Sequence, residues 1–525
     1  MALPIALASI VLVASGVSVS ELGRFAAYQV GLLLIPGVLL WWALSGEAGL
    51  TLRSVCVGWA LGHAIEIGAF ALCAGTGARS LTPFAIIAIG TAALVWVTVR
   101  KAAPSQPADD EPLPRHWPLV CGGVVLLAIV YLAASLFTQT PLPEAVTEVS
   151  YFQDYVFHLS VSAEALHHWP IGEPKVAGES LPYHTFFYMH IAATAEVTGI
   201  ELPVLLFRLV PSVLLAIIVL QLAWAGRALT GRAWAGPVAA LLLIAFGELD
   251  PNPDQAFVFF NTFFYSLHTS PTFLLGLLVF IPVLVLAAEL GEAKPRAGQR
   301  RGRWAALAVL LGACAGTKAT ILPVLAGGLI VYVAVSLALD RRAVRAPLAV
   351  AGLTAAIFAL SFAGLYDGGE GGLRLEPPGL IADMRPVLQL EPRFEGVPVV
   401  EQGFWVAATV LGLAGFAAAS LFGTAWLFRR RLSRAPPWAL FLAAVFVASL
   451  VPFLLLRHPG GSQNFFTYYG LVAAAPLAAV ALLTLLSSWR GSPSGARRGL
   501  IGGAAGVCAA LALGTLVDDS RELHR

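Results

Sequence analysis

Long apolar stretches recur along the whole chain, separated by short polar breaks. A run of about 18 or more residues with few charges has the length and composition of a helix that crosses a bilayer. On this criterion the pattern predicts spans near 2–20, 26–45, 53–75, 81–99, 118–137, 202–225, 233–248, 271–290, 304–317, 319–339, 346–365, 403–427, 436–456, 465–487 and 499–517. The expected fold class is therefore an all-α polytopic membrane protein with about 15 transmembrane helices. The pair at 304–339 is split by the polar break Gly316-Thr317-Lys318. The first twenty residues lack a basic start and read as a spanning helix rather than a cleaved signal.

The placement of arginines adds orientation. Clusters at Arg296, Arg300, Arg301 and Arg303, at Arg341, Arg342 and Arg345, at Arg429, Arg430, Arg431 and Arg434, and at Arg490, Arg497 and Arg498 lie in short breaks separated by even numbers of spans. Short basic loops face the cytoplasm. Segments 138–201, 249–270 and 366–402 then fall outside, with the N-terminus inside and the C-terminus outside. These outer segments carry carboxylates, histidines and aromatics. The predicted setting is a bacterial-type inner (plasma) membrane, with polar chemistry on its outer face. The expected divisions are a four-helix membrane module at 1–100, a cytoplasmic linker at 101–117, a core at 118–345 containing the outer loop 138–201, and a C-terminal membrane region at 346–525.

Composition agrees. Of 525 residues 58% are hydrophobic and only 12% charged, too apolar for a water-soluble fold of this size. A net charge of +2 gives no footing for nucleic acid. The five cysteines, Cys56, Cys73, Cys121, Cys314 and Cys508, sit in apolar runs without a CxxC pair and read as small buried residues. There is no Walker A loop, no GxGxxG and no HExxH, so ATP-driven transport and zinc-protease chemistry have no residues to rest on.

The first outer loop holds the richest pattern. A helix over 152–167 places Asp154 and His158 on one face at i, i+4 spacing and stops at Pro170, after His167, His168 and Trp169. Gly178 to His184 follow, with Tyr183 among them. Residues 184–200 include His184, His190 and Glu196 and read as a helix in the membrane interface, with Phe186, Phe187 and Tyr188 at headgroup level. The next span contains Arg208, which can snorkel or meet an anionic headgroup.

In this order the features resemble the membrane-embedded glycosyltransferases of the GT-C class, especially the family-39-like branch of protein O-mannosyltransferases and the lipid A aminoarabinose transferase. The matching pieces are Asp154, then Gly178 to His184, Gly199, Arg208-Leu209-Val210-Pro211-Ser212, and the hairpin Gly312, Gly316, Thr317, Lys318 and Pro323. They cover about 118–340. The chain has Asp154-Tyr155 where the family usually has Asp-Glu, and the segment 1–100 is additional to the family pattern. The resemblance implies transfer of a sugar from a polyprenyl-phosphate donor to a cell-envelope lipid, glycan or protein.

Such chemistry needs a carboxylate that takes the acceptor proton or holds a metal, and cations for the phosphate. Asp154 is the expected base; a loop-pairing role is the alternative. Asp154, His158 and His184 are candidates to hold a divalent ion, Mg²⁺ or Mn²⁺; hydrogen-bonded interfacial histidines are the alternative. Lys318 and Arg208 are candidate phosphate ligands, against simple snorkelling. Arg457 is a further cation, Gln463 and Asn464 are candidates for sugar hydroxyls, and Tyr183 for substrate contact. Asp250, Asp254 and His268 form a secondary candidate set, with turn formation as the alternative for the two carboxylates. The other functions compatible with this pattern are a transporter or flippase of lipid-linked saccharide and a non-catalytic assembly subunit. The nearly charge-free helix interiors, Glu66 excepted, weigh against a transport pathway.

Overall fold

A computed structural model describes residues 2–100, 103–104, 113–143, 151–245, 248–249, 259–260, 262–292, 297–339, 344–366, 374–376, 434–458 and 462–490. The expected spans 403–427 and 499–517, and most of the 366–402 segment, lie outside these residues.

The protein is an all-α, multi-pass membrane protein. Among the described residues ten helices are long and apolar enough to cross a bilayer. In chain order the elements are α1 (Ala2–Ala14), α2 (Val19–Ser45), α3 (Leu52–Gly75), α4 (Thr82–Arg100), α5 (Trp117–Phe137), α6 (Gln153–His167), α7 (Phe186–Thr198), α8 (Leu202–Thr230), α9 (Ala235–Ala245), α10 (Thr262–Thr269), α11 (Pro271–Glu292), α12 (Ala297–Thr317), α13 (Ile321–Ala338), α14 (Arg345–Gly364), α15 (Pro437–Leu455) and α16 (Asn464–Arg490). Three two-residue strand pairs and one isolated antiparallel bridge, Gly172 to Ser180, are the β structure among the described residues.

The first expected span is divided. α1 ends at Ala14, and Gly16 adopts φ +96, a left-handed conformation that costs glycine nothing. α2 then starts under a capping box: the Ser18 hydroxyl accepts from the Glu21 N–H, and the Glu21 carboxylate accepts from the Ser18 N–H at 2.8 Å. The reciprocal bond satisfies amide donors that a helix start leaves open. The expected span 233–248 is the 11-residue α9, too short to cross a bilayer alone.

Depth in the bundle varies sharply. In the most apolar window of α11, 94% of residues are buried inside the protein, against 22% for the helix over Arg79–Arg100. α11 is thus a central helix, and α4 turns most of its apolar surface outward. α2 and α3 cross closely. A Cβ at Gly37 would stand 1.8 Å from the Gly58 carbonyl oxygen, and one at Gly62 would stand 2.1 Å from that of Leu33. Small residues allow this approach, which packing between membrane helices needs in place of a hydrophobic driving force.

α7 packs between α2 and α3 on one side and α11 and α12 on the other, and α6 packs on α7. The sequence places Phe186, Phe187 and Tyr188 at headgroup level. In the structure Phe187 and Tyr188 are fully buried against protein. α7 ends at Gly199 in the left-handed conformation, as a helix C-terminus commonly does.

Candidate functional site

The site is built where α6, α7 and the turn between α12 and α13 converge. Asp154 stands in the first turn of α6, exposed, beside the positive end of the helix dipole. One turn on, His158 is buried. The i, i+4 spacing therefore aims one helix face inward, with the carboxylate at its open end.

His158 is held on both sides. Its Nε2 donates to the Thr269 carbonyl at 3.2 Å, since a carbonyl only accepts. Its Nδ1 is then the acceptor for the Tyr188 hydroxyl, 2.7 Å away. Loss of hydration lowers its pKa to about 3, so the ring is neutral. Tyr183 packs edge-on against Phe157 and stacks on His184 with ring centroids 3.6 Å apart. Burial raises the Tyr183 hydroxyl, and the Asp154 charge adds to the rise.

Lys318 occupies the break between α12 and α13 and is 6% exposed. Its Nζ donates to the Ser270 hydroxyl at 3.0 Å and the Thr272 hydroxyl at 3.3 Å, both at the start of α11. Phe465, in the first turn of α16, places its ring centroid 3.8 Å from the same atom. Burial lowers the lysine pKa to about 7, and Asp154 opposes that fall. Reciprocally, partial loss of hydration raises the Asp154 carboxyl while Lys318 holds it down. The two residues, 164 positions apart in sequence, are near enough for each charge to act on the other without an ion-pair contact between them. His184 is buried beside them. Loss of hydration lowers its pKa, and the Lys318 charge lowers it further. Its Nε2 has no hydrogen-bond partner, nor has the buried Thr320 Oγ1 two residues beyond Lys318. Two unpartnered polar atoms close to a buried lysine that already donates to two hydroxyls form an arrangement suited to an anionic, hydrogen-bonding ligand.

Arg208 requires a correction. It is 2% exposed, and all five guanidinium N–H groups are spent inside the protein. Nε donates to the Ser15 carbonyl, one terminal nitrogen to Thr140 Oγ1 and the Phe207 carbonyl, and the other to the Phe137 and Thr140 carbonyls. The side chain staples α1, the end of α5 and α8 together and has no donor left for a phosphate. The metal expectation also meets a physical obstacle. The His158 lone pair is taken by Tyr188, and Lys318 is a competing cation beside Asp154. Among the described residues no group of three or more His, Cys, Asp or Glu is arranged to hold an ion. Asp154, His158 and His184 do not fit a divalent cation as they stand.

Arg457 is partly exposed and paired with Glu376 at 3.0 Å. Gln463 is fully buried with both amide atoms unpartnered, and Asn464 opens α16, next to Phe465. Asp250 and Asp254 lie outside the described residues, and His268 is placed only as a position on α10. Sequence reading alone did not flag Ser270, Thr272 or Phe465. The one signal for the two hydroxyls was their position at the start of a strongly apolar run.

No protein-family model and no curated protein matches the sequence. Among solved structures, the chain is similar to the oligosaccharyltransferase AglB of Archaeoglobus fulgidus in complex with an inhibitory peptide and a dolichol-phosphate, at 13% identity and TM-score 0.47, over 78% of this chain and 56% of that one. It is similar also to the apo form of the Archaeoglobus fulgidus oligosaccharyltransferase, at 14% identity and TM-score 0.46, over the same shares. The chain thus spans just over half the length of these proteins.

Proposed function

We propose that the protein is a glycosyltransferase that moves a sugar from a polyprenyl-phosphate-linked donor to a cell-envelope acceptor at the outer face of the membrane. The observation that carries this reading is the buried Lys318, its ammonium held by the Ser270 and Thr272 hydroxyls and within electrostatic reach of the exposed Asp154 carboxylate at the start of α6. A donor with a lipid tail keeps its phosphate near the membrane surface, and only a membrane-embedded catalyst can meet both parts.

In this reading Lys318 holds the donor phosphate, steered by Ser270 and Thr272. Asp154 accepts the proton of an acceptor hydroxyl or amine as that atom attacks the sugar anomeric carbon. The bond from the anomeric carbon to the phosphate oxygen breaks, and its electron pair leaves on the polyprenyl phosphate. Lys318 offsets the extra negative charge formed there, at the point in the reaction where it is worth most. The step is routed through no metal. Gln463 and Asn464 remain candidates for sugar hydroxyls.

The test is transfer from labelled polyprenyl-phosphate sugars to a cell-envelope extract by purified protein in liposomes. Asp154→Asn should cut the rate by about 10²- to 10⁴-fold, the usual contribution of a positioned base. Lys318→Met should abolish donor binding, followed separately with a labelled polyprenyl phosphate. Transfer unchanged by both substitutions would exclude this site.

A further inference from the structure

Glu66 lies near the middle of α3 and is fully buried, with His63 as the other polar side chain in that part of the helix. It has two partners. The Tyr28 hydroxyl, on α2, donates to Oε1. His190, on α7, meets Oε2 through Nδ1 at 2.7 Å and is itself fully buried. His63, one turn before Glu66, sits with its ring 4.8 Å from that of His190, and its Nδ1 donates to the Trp59 carbonyl. The Nε2 atoms of both histidines are buried without a partner. As a source of stability this is a poor arrangement. Taking a carboxylate out of water costs several kcal/mol, and apolar replacements of buried ion pairs are often neutral or stabilising. Unpartnered imidazole nitrogens add to the cost. What a directional contact supplies, and an apolar one does not, is a single axial and rotational setting of one helix on another.

The helix so fixed is α7, and it is the element that spaces the site. Two residues before His190, Tyr188 holds His158, one turn from Asp154. Two residues before that, Phe186 packs into the space left by Gly316, where a Cβ would stand 2.5 Å from the ring; Lys318 is two residues on. The far end of α7 is tied to α2 by Arg24, which donates to the Thr198 carbonyl at 2.6 Å. From this juxtaposition we infer that Glu66 and His190 are positioning residues. Through α7 they set the distance between Asp154 and Lys318, and the N-terminal helices serve as the frame for the site. The inference gives a role to the segment 1–100 and rests on the site proposed above. Its test needs no transfer reaction.

The chain has four lysines, Lys101, Lys175, Lys294 and Lys318. Reductive methylation with ¹³C-formaldehyde and NMR titration of the dimethyl-lysine signals therefore reads Lys318 against three internal controls. In the wild type its midpoint should lie at about 7, lowered by burial and held up by Asp154. The double variant Glu66→Leu with His190→Leu removes the directional contact but leaves an apolar pair. It should melt close to wild type and shift the Lys318 midpoint by about half a unit or more, roughly threefold in the ionisation equilibrium. Glu66→Gln keeps an acceptor and a donor for Tyr28 and His190 and should restore the wild-type midpoint. An unmoved midpoint in a folded double variant would overturn the inference. So would a double variant that melts far below wild type, since the contact would then carry the fold itself. Failure of transfer in all proteins, with the midpoint behaving as described, would count against the transferase reading and leave the positioning role standing.

Discussion

The Phe465 ring centroid sits 3.8 Å from the Lys318 ammonium, which also donates to the Ser270 and Thr272 hydroxyls. The ring face offers the cation a negative quadrupole in place of water. Together with Asp154 it offsets part of the desolvation that pulls the lysine pKa to about 7. Phe465→Leu removes the quadrupole and keeps the packing. The Lys318 midpoint should fall further, by several tenths of a unit, the equivalent of roughly 0.5–1 kcal/mol. Dimethyl-lysine titration measures it directly, and a midpoint that rises would exclude a favourable ring contact.

The proposed chemistry requires Lys318 charged and Asp154 ionised, which sets the sign of each pH limb. Asp154 lies above its ordinary value because the protein around it removes part of its hydration, so the acid limb should begin above the usual aspartate range. Lys318 loses its proton as pH rises through about 7, so kcat/KM should fall on the alkaline side from there. Bound phosphate favours the ammonium form, so the same limb in kcat should move to higher pH. Initial rates at subsaturating and saturating donor separate the two profiles. An alkaline limb at the same pH in both would argue against phosphate contact by Lys318.

Stability should run opposite to activity at Lys318. Burying an ammonium is costly, and Ser270 and Thr272 already hydrogen-bond each other at 3.2 Å, so they keep a partner without it. Lys318→Met should leave the melting temperature unchanged or raise it, by up to about 2 kcal/mol of stability. Thermal unfolding in detergent decides this; a variant markedly less stable than wild type would show that the lysine has a structural duty.

Arg208 should behave in the reverse sense. Lysine carries the same charge but cannot reproduce five donors in a planar fork, and carbonyls of Ser15, Phe137 and Thr140 would lose partners. Arg208→Lys is expected to cost about 2–4 kcal/mol of stability, with donor affinity of the remaining folded protein unchanged. A selective loss of donor affinity at full stability would reinstate the phosphate role.

At the α2–α3 crossing, Gly37→Ala would drive a methyl group into the Gly58 carbonyl. Backbone cannot swing aside as a side-chain tip can, so the helices must separate. The expected loss is about 1–3 kcal/mol, seen as a lower melting temperature. Because α3 carries Glu66, the Lys318 midpoint should shift as well.

The succession of membrane helices was legible in the sequence because hydropathy is a local sum. A window of about twenty residues contains everything that decides whether a helix suits a bilayer. The helix over 153–167, with Asp154 and His158 on one face, was legible for a similar reason, since a period of 3.6 is a property of the segment itself. Partners are a different matter. Arg208 reaches Ser15 across 193 positions, and Glu66 reaches His190 across 124. Nothing local distinguishes an arginine that will meet a phosphate from one that will meet five acceptors inside the protein. The same holds for Ser270, Thr272 and Phe465 around Lys318. The identity of the candidate groups was written in the chain. Only tertiary packing decided which carboxylate faces which cation, because a buried charge takes its partner from whichever helix packs beside it.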